Sequence, residues 1–256
     1  MTSVLYVYAV TRDPVTPDCE AVDQSRRFAT VSADGISATF TPVNAEEFSQ
    51  EVIDQRSADL EWLGAIGYRH QEIVAALMKE TTVVPLRAFS LFSSPEALRS
   101  FLHDKQEELA KTLERFEGKR EWTLRIELEP QRWSEALNRR VAALQELQQE
   151  MAGATPGRAF LLKKKLEEER KGASRTAEAD LVAEIESSVL QGLRCEVVAE
   201  SRERRGGAFP QLNVLIARDE ESTLQDLHAA INARYEPDGV SLALSGPWPP
   251  YSFAGR

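Results

Sequence analysis

The sequence predicts an α+β fold. Short runs of β-branched and aromatic residues alternate with longer segments in which apolar residues recur every three or four positions, as strands and amphipathic helices require. With 42% hydrophobic and 28% charged residues among 256, the composition is that of a globular protein with one large core or two modest ones. A helical pattern ends at Gly118 and a strand pattern follows, which predicts two domains, residues 1–119 and residues 120–256.

The N-terminal α+β domain is predicted to open with β structure. Leu5–Val10 has the composition of a buried strand and ends in a proline-containing turn. Two short strands, residues 28–31 and 36–41, are joined by an Asp-Gly pair, which supplies the positive φ of a tight hairpin. Asn44 stands three residues before a glutamate, as in a capping box, and predicts the start of a short helix.

Two longer helices follow, with a strand between them. From residue 60 the apolar spacing places a stripe on one helical face, and His70 lies in that stripe. Residues 81–86, TTVVPL, have strand composition, but Pro85 removes a ladder donor, which predicts a sheet edge or a strand end. Ser94 precedes a proline and a glutamate, so it is predicted to cap a helix that runs to Gly118.

The C-terminal domain has the element order of a split βαβ fold. The predicted elements are a strand, two helices, two strands, a helix and a strand, at residues 122–128, 134–151, 158–190, 195–199, 212–217, 223–235 and 240–244. The second helix has a charged centre that is expected to be solvated, and Gly172 is a position at which this helix could be broken. This order predicts a ferredoxin-like fold.

The charge balance restricts the partners. With 31 Lys and Arg against 41 Asp and Glu, the formal net charge of −10 opposes binding to polyphosphate or anionic lipid, so we expect neither nucleic acid nor a membrane as partner. Cys19 and Cys195 lie far apart and outside any CxxC pattern, which fits a reducing compartment. The N-terminus lacks the basic region of a signal peptide, so a cytoplasmic location is expected.

The common catalytic signatures are absent. The sequence holds no GxxxxGK[ST], GxSxG or HExxH pattern and no GxGxxG after a strand, so we expect no enzymatic activity, no cofactor and no metal. His70 has H-x-E spacing without a PCxxC arm, and its apolar stripe favours a packed, hydrogen-bonded histidine. The loop Arg202–Gly207, RERRGG, suits a phosphate or a solvated hairpin loop, and the second is favoured because no helix begins directly after the glycines.

The C-terminal segment Ser245–Phe253, SGPWPPYSF, is the least ordinary stretch of the chain. Three prolines restrict its backbone while Trp248, Tyr251 and Phe253 offer large apolar faces, so it loses little entropy on packing. A structural or interdomain role is predicted for these three aromatic residues and for His70. Docking of a foreign chain is the alternative.

Several segments, taken in order, carry a family resemblance. They are LYVYAV at residues 5–10, the helix containing His70, TVVPLRAFSLF at 82–92, EWTLRI at 121–126, GRAFLLKKK at 157–165 and, as the strongest match, GPWPPYSF at 246–253. Over nearly its full length the chain resembles the gas vesicle protein GvpL/GvpF family. One departure is Ala88-Phe89-Ser90, where many relatives carry a Phe-Gly-Thr-like turn.

The resemblance implies a non-enzymatic accessory protein needed to assemble gas vesicles, which are hollow protein shells. It also implies two α+β domains, the C-terminal one a modified ferredoxin-like (split βαβ) fold. The implied partners are the small hydrophobic shell protein GvpA, which the N-terminal domain is implied to bind, and other accessory Gvp proteins. An acidic carrier can cover an apolar shell subunit while staying dispersed, so we expect a chaperone-like adaptor or nucleation factor associated with gas vesicles.

The sheet edge predicted near residues 82–86 is the candidate surface for GvpA, because an open edge can accept a partner strand. Arg87 and Phe89 flank that edge and are the candidate partner-binding residues. A small-molecule-binding regulatory module is the alternative function, since ferredoxin-like domains can bind metabolites between paired copies, although fold alone assigns no function. An RNA-binding domain is disfavoured because the paired aromatic pattern and the basic stripe are missing.

Overall fold

The structure, a computed structural model, describes residues 3–25, 27–56, 58–200 and 211–255. Helices and strands are mixed along the chain, so the α+β class predicted from the sequence is confirmed. The chain divides into two compact units. Unit 1 consists of Met1–Glu121 together with Pro247–Arg256, and unit 2 consists of Trp122–Gly246.

Unit 1 is built on a five-stranded sheet. Its strands are β1 Ser3–Thr11, β2 Ala29–Ala33, β3 Ile36–Asn44, β4 Val84–Pro85 and β5 Leu91–Phe92. The order is β2-β3-β1-β4, and β5 also pairs with β1. The helices of this unit are α1 Ala45–Phe48, α2 Gln50–Gln55, α3 Leu60–Glu80, α4 Pro95–Asp104 and α5 Gln106–Phe116.

Local signals in the sequence set several of these boundaries. Asp34 and Gly35 adopt φ values of 49° and 79° and turn β2 into β3, as the Asp-Gly pair predicts. The side chain of Asn44 accepts a hydrogen bond from the backbone N–H of Glu46 and caps α1. Ser94 caps α4 in the same way. The apolar stripe of α3 packs against β1, and the two elements contribute to one core cluster of unit 1.

The helix predicted from Ser94 to Gly118 is two helices, so this prediction was wrong in detail. Lys105, with φ −106° and ψ 7°, leaves the helical region between α4 and α5. The helix predicted over residues 134–151 is also divided, because Val141 adopts an extended conformation. Neither position is Pro or Gly, so no breaker residue signals these ends.

Unit 2 contains a four-stranded sheet of order β7-β8-β6-β9. Its strands are β6 Lys119–Leu128, β7 Glu196–Glu200, β8 Gln211–Ala217 and β9 Val240–Trp248. The helices are α6 Pro130–Arg140, α7 Ala142–Ala152, α8 Pro156–Gly192 and α9 Glu221–Tyr235. The loop Arg202–Gly207 lies outside the described residues.

The long helix α8 runs unbroken through Gly172, so the break offered there does not occur. Its buried residues lie near the two ends, at Leu162 and Leu166 and then at Leu181, Ile185 and Val189. Residues 167–169 between them are exposed. The helix therefore buries its ends in unit 2 and exposes its charged centre, as the sequence pattern predicts.

The C-terminal segment packs in unit 1. The sequence prediction grouped residues 120–256 in one domain, whereas the structure places Pro247–Arg256 with the N-terminal residues. The physical reason is a set of contacts to unit 1: Ser252 donates from its N–H and its hydroxyl to Glu121, and Arg115 donates to the carbonyl of Phe253. These bonds supply two hydrogen-bond donors to the buried carboxylate of Glu121.

Gly239 is required for the close approach of β9 to α6. Its φ is +75°, and a Cβ built there would lie 2.5 Å from Cβ of Arg132. We expect Gly239→Ala to lower the free energy of unfolding by about 1–3 kcal/mol, since both strain and a clash are introduced. In Gly172→Ala, where the new Cβ meets open space inside a helix, a gain of about 0.5–1 kcal/mol is expected. Urea denaturation of both variants checks the opposite signs, and a loss in each would contradict this account.

Candidate functional site

One edge of the unit 1 sheet is an interrupted strand. β4 and β5 both pair antiparallel with β1, at Ala9–Val10 and at Leu5–Tyr6, on the side of β1 away from β3. Pro85 ends β4 and donates no backbone hydrogen bond. The edge position that Pro85 predicted is therefore present, although the regular strand is shorter than the predicted residues 81–86.

The chain bulges outward between β4 and β5. Tyr6 of β1 pairs with Leu91, and Ala9 of β1 pairs with Pro85. Between these two pairs the segment that joins β4 to β5 has three more residues than β1 has. The bulge is fixed at both ends, because Leu86 N–H donates to Tyr8 and Val7 N–H donates to the carbonyl of Ser90. Such a bulge keeps the segment attached to the sheet while it re-aims the side chains within it.

Phe89, within the bulge, adopts a φ of 65°, a left-handed conformation that is costly for a bulky residue. Two contacts hold it there: its N–H donates to the hydroxyl of Tyr6 at 3.0 Å, and its ring lies 5.4 Å from that of Trp62. The Phe89 ring is therefore half-buried against the core and contributes mainly to the shape of the bulge.

An open groove of about 480 Å³ lies between this edge and the helices α4 and α5. Most of its wall is apolar, contributed by Val84, Pro85, Leu86, Leu91, Phe92, Phe101 and Leu109. The rings of Phe92 and Phe101 are 5.2 Å apart. Charged side chains mark the rim: Arg87 is exposed, and Lys105 forms an ion pair with Glu108 at 2.8 Å. The groove is thus apolar inside and charged at its border.

The two partner-binding residues predicted from the sequence separate in the structure. Arg87 lines the groove, whereas Phe89 does not and turns toward Tyr6 and Trp62. Sequence reasoning missed Phe92, Phe101 and Lys105, because their approach to the edge strand depends on how α4 packs. The only local signal was the apolar character of residues 91–92 next to the predicted edge.

His70 supports the wall of this groove from inside. The side chain is buried, and its Nε2 lies 3.0 Å from the carbonyl oxygen of Leu86. Because a carbonyl only accepts, Nε2 carries the proton in the neutral ring. Burial lowers the pKa of His70 to about 4, with the Leu86 bond opposing that shift. His70 is therefore neutral at physiological pH and holds the residue that begins the bulge.

Aromatic rings surround His70. The ring centroids of Tyr6, Tyr8 and Tyr251 lie 5.6, 5.8 and 6.2 Å from that of His70. Burial raises the pKa of each of these tyrosines well above its ordinary value. Tyr251 brings the C-terminal segment to this cluster. In the same segment Phe253 is buried, Trp248 is partly exposed, and Ala254 and Gly255 line the groove.

Among the described residues no group of three or more His, Cys, Asp or Glu side chains could hold a metal ion. Burial raises the pKa of the Cys195 thiol to about 11, which keeps it from forming the reactive thiolate. Within the same residues, no helix combines the length and apolar character needed to cross a bilayer. The groove is therefore the strongest candidate site in unit 1.

An apolar groove beside a sheet edge is a kind of surface to which an extended polypeptide can add as a further strand. The chain belongs to the family described as gas vesicle synthesis protein GvpL/GvpF, which matches residues 4–255. Gas vesicle protein L of a Streptomyces species is 28% identical over 258 residues, which covers 98% of this chain and 92% of that protein. Gas vesicle protein L2 of Halobacterium salinarum is 30% identical and covers 97% and 90%.

Two solved structures share the fold. The crystal structure of GvpF from Microcystis aeruginosa matches with a TM-score of 0.69 at 16% identity, over 100% of both chains. That of GvpF from Anabaena sp. PCC7120 gives 0.73 at 15% identity, over 99% of both chains. The family resemblance found in the sequence is confirmed, and the family has a role in gas vesicle formation.

Proposed function

We propose that this protein is a non-enzymatic accessory factor for gas vesicle assembly that binds the hydrophobic shell protein GvpA through the unit 1 groove. The observation that carries the proposal is an apolar groove along an interrupted edge strand in a member of this family. The partner would be held transiently, in a chaperone-like or nucleating role, at the vesicle. Other accessory Gvp proteins are further partners under this proposal.

The groove suits an extended apolar segment. An edge strand can offer backbone groups to an added strand, and the apolar pocket beside it can take alternate side chains of that strand. Pro85 and the bulge limit this edge to short pairings, which favours temporary binding over an open-ended sheet. The net charge of −10 keeps the carrier dispersed while it covers an apolar partner.

The strand order of unit 2 supports a ferredoxin-like fold for this unit. Numbered within this unit, its strands lie in the spatial order 2-3-1-4, and its helices follow the first and third strands. This arrangement corresponds to two interleaved βαβ elements. We infer a modified ferredoxin-like unit, in which three consecutive helices, α6, α7 and α8, connect the first two strands in place of a single helix.

Substitutions in the groove test the proposal. Each variant is made separately, and the amount of GvpA recovered with the tagged protein after co-expression is measured. We expect Phe101→Asp to lower this amount about tenfold or more, and Arg87→Glu to lower it severalfold. Phe101→Asp places a charge against the apolar wall, which disfavours an apolar ligand. Arg87→Glu changes only an exposed side chain at the rim, so it leaves the fold intact.

The matched control is the double variant Leu60→Ser, Tyr68→Ser on α3, since these side chains are 80% and 68% exposed in the same unit and lie outside the groove. Its recovery of GvpA should equal that of the wild type. Recovery lost in this control but retained in both groove variants would place binding on α3 instead. Failure of the wild type to recover GvpA would contradict the proposed function itself.

A further inference from the structure

Strand β9 forms one edge of the four-stranded sheet in the described part of the chain. The strand is nine residues long, and its sequence, VSLALSGPW, holds no charged residue. Long, uncharged edge strands pair readily with strands of other chains, and proteins protect such edges with charge, with proline or with a cover. Pro247 is a proline of this kind, but it lies near the end of the strand. The rest of the edge therefore needs another form of protection.

The opposite edge strand is protected by its own sequence. β7 is five residues long, and it begins and ends with a glutamate, Glu196 and Glu200. Short length and charged side chains both disfavour the addition of a further strand at an edge. The two edges of this sheet therefore differ, because β9 is neither short nor charged.

Two side chains of helix α9 bind the backbone of β9 at Leu242. Oδ1 of Asn232 accepts a hydrogen bond from the N–H of Leu242 at 2.7 Å, and Nδ2 of Asn232 donates to the Leu242 carbonyl oxygen at 3.2 Å. Nε2 of His228 donates to the same oxygen at 2.8 Å, since a carbonyl oxygen only accepts. Both backbone groups of Leu242 are thus occupied. We call Asn232 and His228 the β9 clamp.

The amide of Asn232 takes the place of a residue on a neighbouring strand. In an antiparallel ladder, the two residues of a hydrogen-bonded pair exchange both N–H···O bonds. A carboxamide offers the same acceptor and the same kind of donor as a peptide unit, so Asn232 reproduces this exchange with Leu242. His228 lies four positions before Asn232 on α9, which places both side chains on one helical face. A foreign strand would have to displace both of them.

We propose that the β9 clamp closes this edge of unit 2 against strand addition by a second copy of the chain. A second copy is the partner to be excluded, because two uncharged β9 strands that meet across a twofold axis bring no like charges together. Between Leu242 and Pro247 only residues 243–246 remain, which is a very short edge. The clamp shares no residue with the groove of unit 1, so it is tested independently of the proposed function.

Opening the clamp in the full chain tests the proposal. The double variant His228→Ala, Asn232→Ala removes all three bonds to Leu242. In dilute protein we expect the Leu242 amide to exchange with solvent about tenfold faster or more, as measured by NMR. In sedimentation equilibrium we expect the dissociation constant for self-association to fall about tenfold or more below that of the wild type. Adding Ser241→Lys, at an exposed position of β9, supplies the missing charge and should restore wild-type behaviour.

The matched control is the double variant Ser222→Ala, Asp226→Ala, since these two residues are exposed and also lie four positions apart on α9. The conservative variant is Asn232→Asp, which keeps an acceptor for the N–H of Leu242 while His228 keeps a donor for its carbonyl. We expect both variants to self-associate within about twofold of the wild type.

Urea denaturation shows which of these variants fold, and the single variant Asn232→Ala replaces the double variant if the latter does not. Self-association of the opened variant no stronger than that of the wild type would overturn the proposal. So would self-association that the added lysine does not reverse, because strands other than β9 would then be responsible.

Discussion

Phe253→Ala is expected to lower the free energy of unfolding by about 3–5 kcal/mol, the range for deleting a fully buried phenylalanine ring. The side chain is only 1% exposed, although it lies three residues from the C-terminus. Its neighbours restrain any collapse into the cavity, because Ser252 is bonded to Glu121 and the Phe253 carbonyl to Arg115. The cavity term should therefore add to the lost transfer free energy.

Phe160→Ala is the matched control for this change. The same atoms are deleted from a ring that is 71% exposed, so a change within about 0.5 kcal/mol is expected. Urea denaturation measures both, and hydrogen exchange in β1 and α3 assigns the loss to unit 1. Similar stabilities for the two variants, or a loss confined to unit 2, would contradict the role given to the C-terminal segment.

The C-terminal segment also contributes to the groove. Ala254 and Gly255, directly after Phe253, line the groove, so the buried ring holds one part of the proposed binding surface. Tyr251, two residues before it, contacts His70, which in turn bonds to Leu86 at another wall of the groove. The segment that looked least ordinary in the sequence thus contributes to the core and to the groove of the same unit.

Much of the fold could be predicted because its signals are local. The Asp-Gly turn, the Asn44 and Ser94 caps and the apolar stripe of α3 each depend on a few neighbouring residues. The breaks at Lys105 and Val141 could not be predicted, since neither residue is a breaker such as Pro or Gly. The place of the C-terminal segment depends on residues such as Glu121, far away in sequence, and sequence patterns do not reveal such pairings.

The candidate site was predictable only in part, for a related reason. Pro85 signals a sheet edge because it removes a backbone donor, and Arg87 follows directly from that position. The groove needs a second wall, and nothing local in α4 shows that Phe101 faces Phe92. Phe89 does not line the groove, because its left-handed φ and its bond to Tyr6 turn its ring toward Trp62.

Acid is expected to destabilise unit 1 through His70. Burial lowers the pKa of His70 from 6.5 to about 4, so the unfolded chain binds this proton more tightly than the folded one does. The stability that depends on neutral His70 is complete above about pH 6.5 and is lost as the pH falls toward about 4, by roughly 3 kcal/mol in total. Nδ1 has no hydrogen-bond partner among the described residues, so a proton added there would be buried without an acceptor.

His70→Leu is the variant that isolates this effect. It should be less stable than the wild type near neutral pH, since the carbonyl of Leu86 loses its donor, but its stability should change less between about pH 6.5 and 4. Tyr6, Tyr8 and Tyr251 do not titrate in acid, because burial raises their pKa values. Hydrogen bonding to Asp34 raises the pKa of the exposed His103, and its titration is common to both proteins and cancels. Urea denaturation across this pH range measures the difference, and parallel pH profiles would show that His70 is not the group responsible.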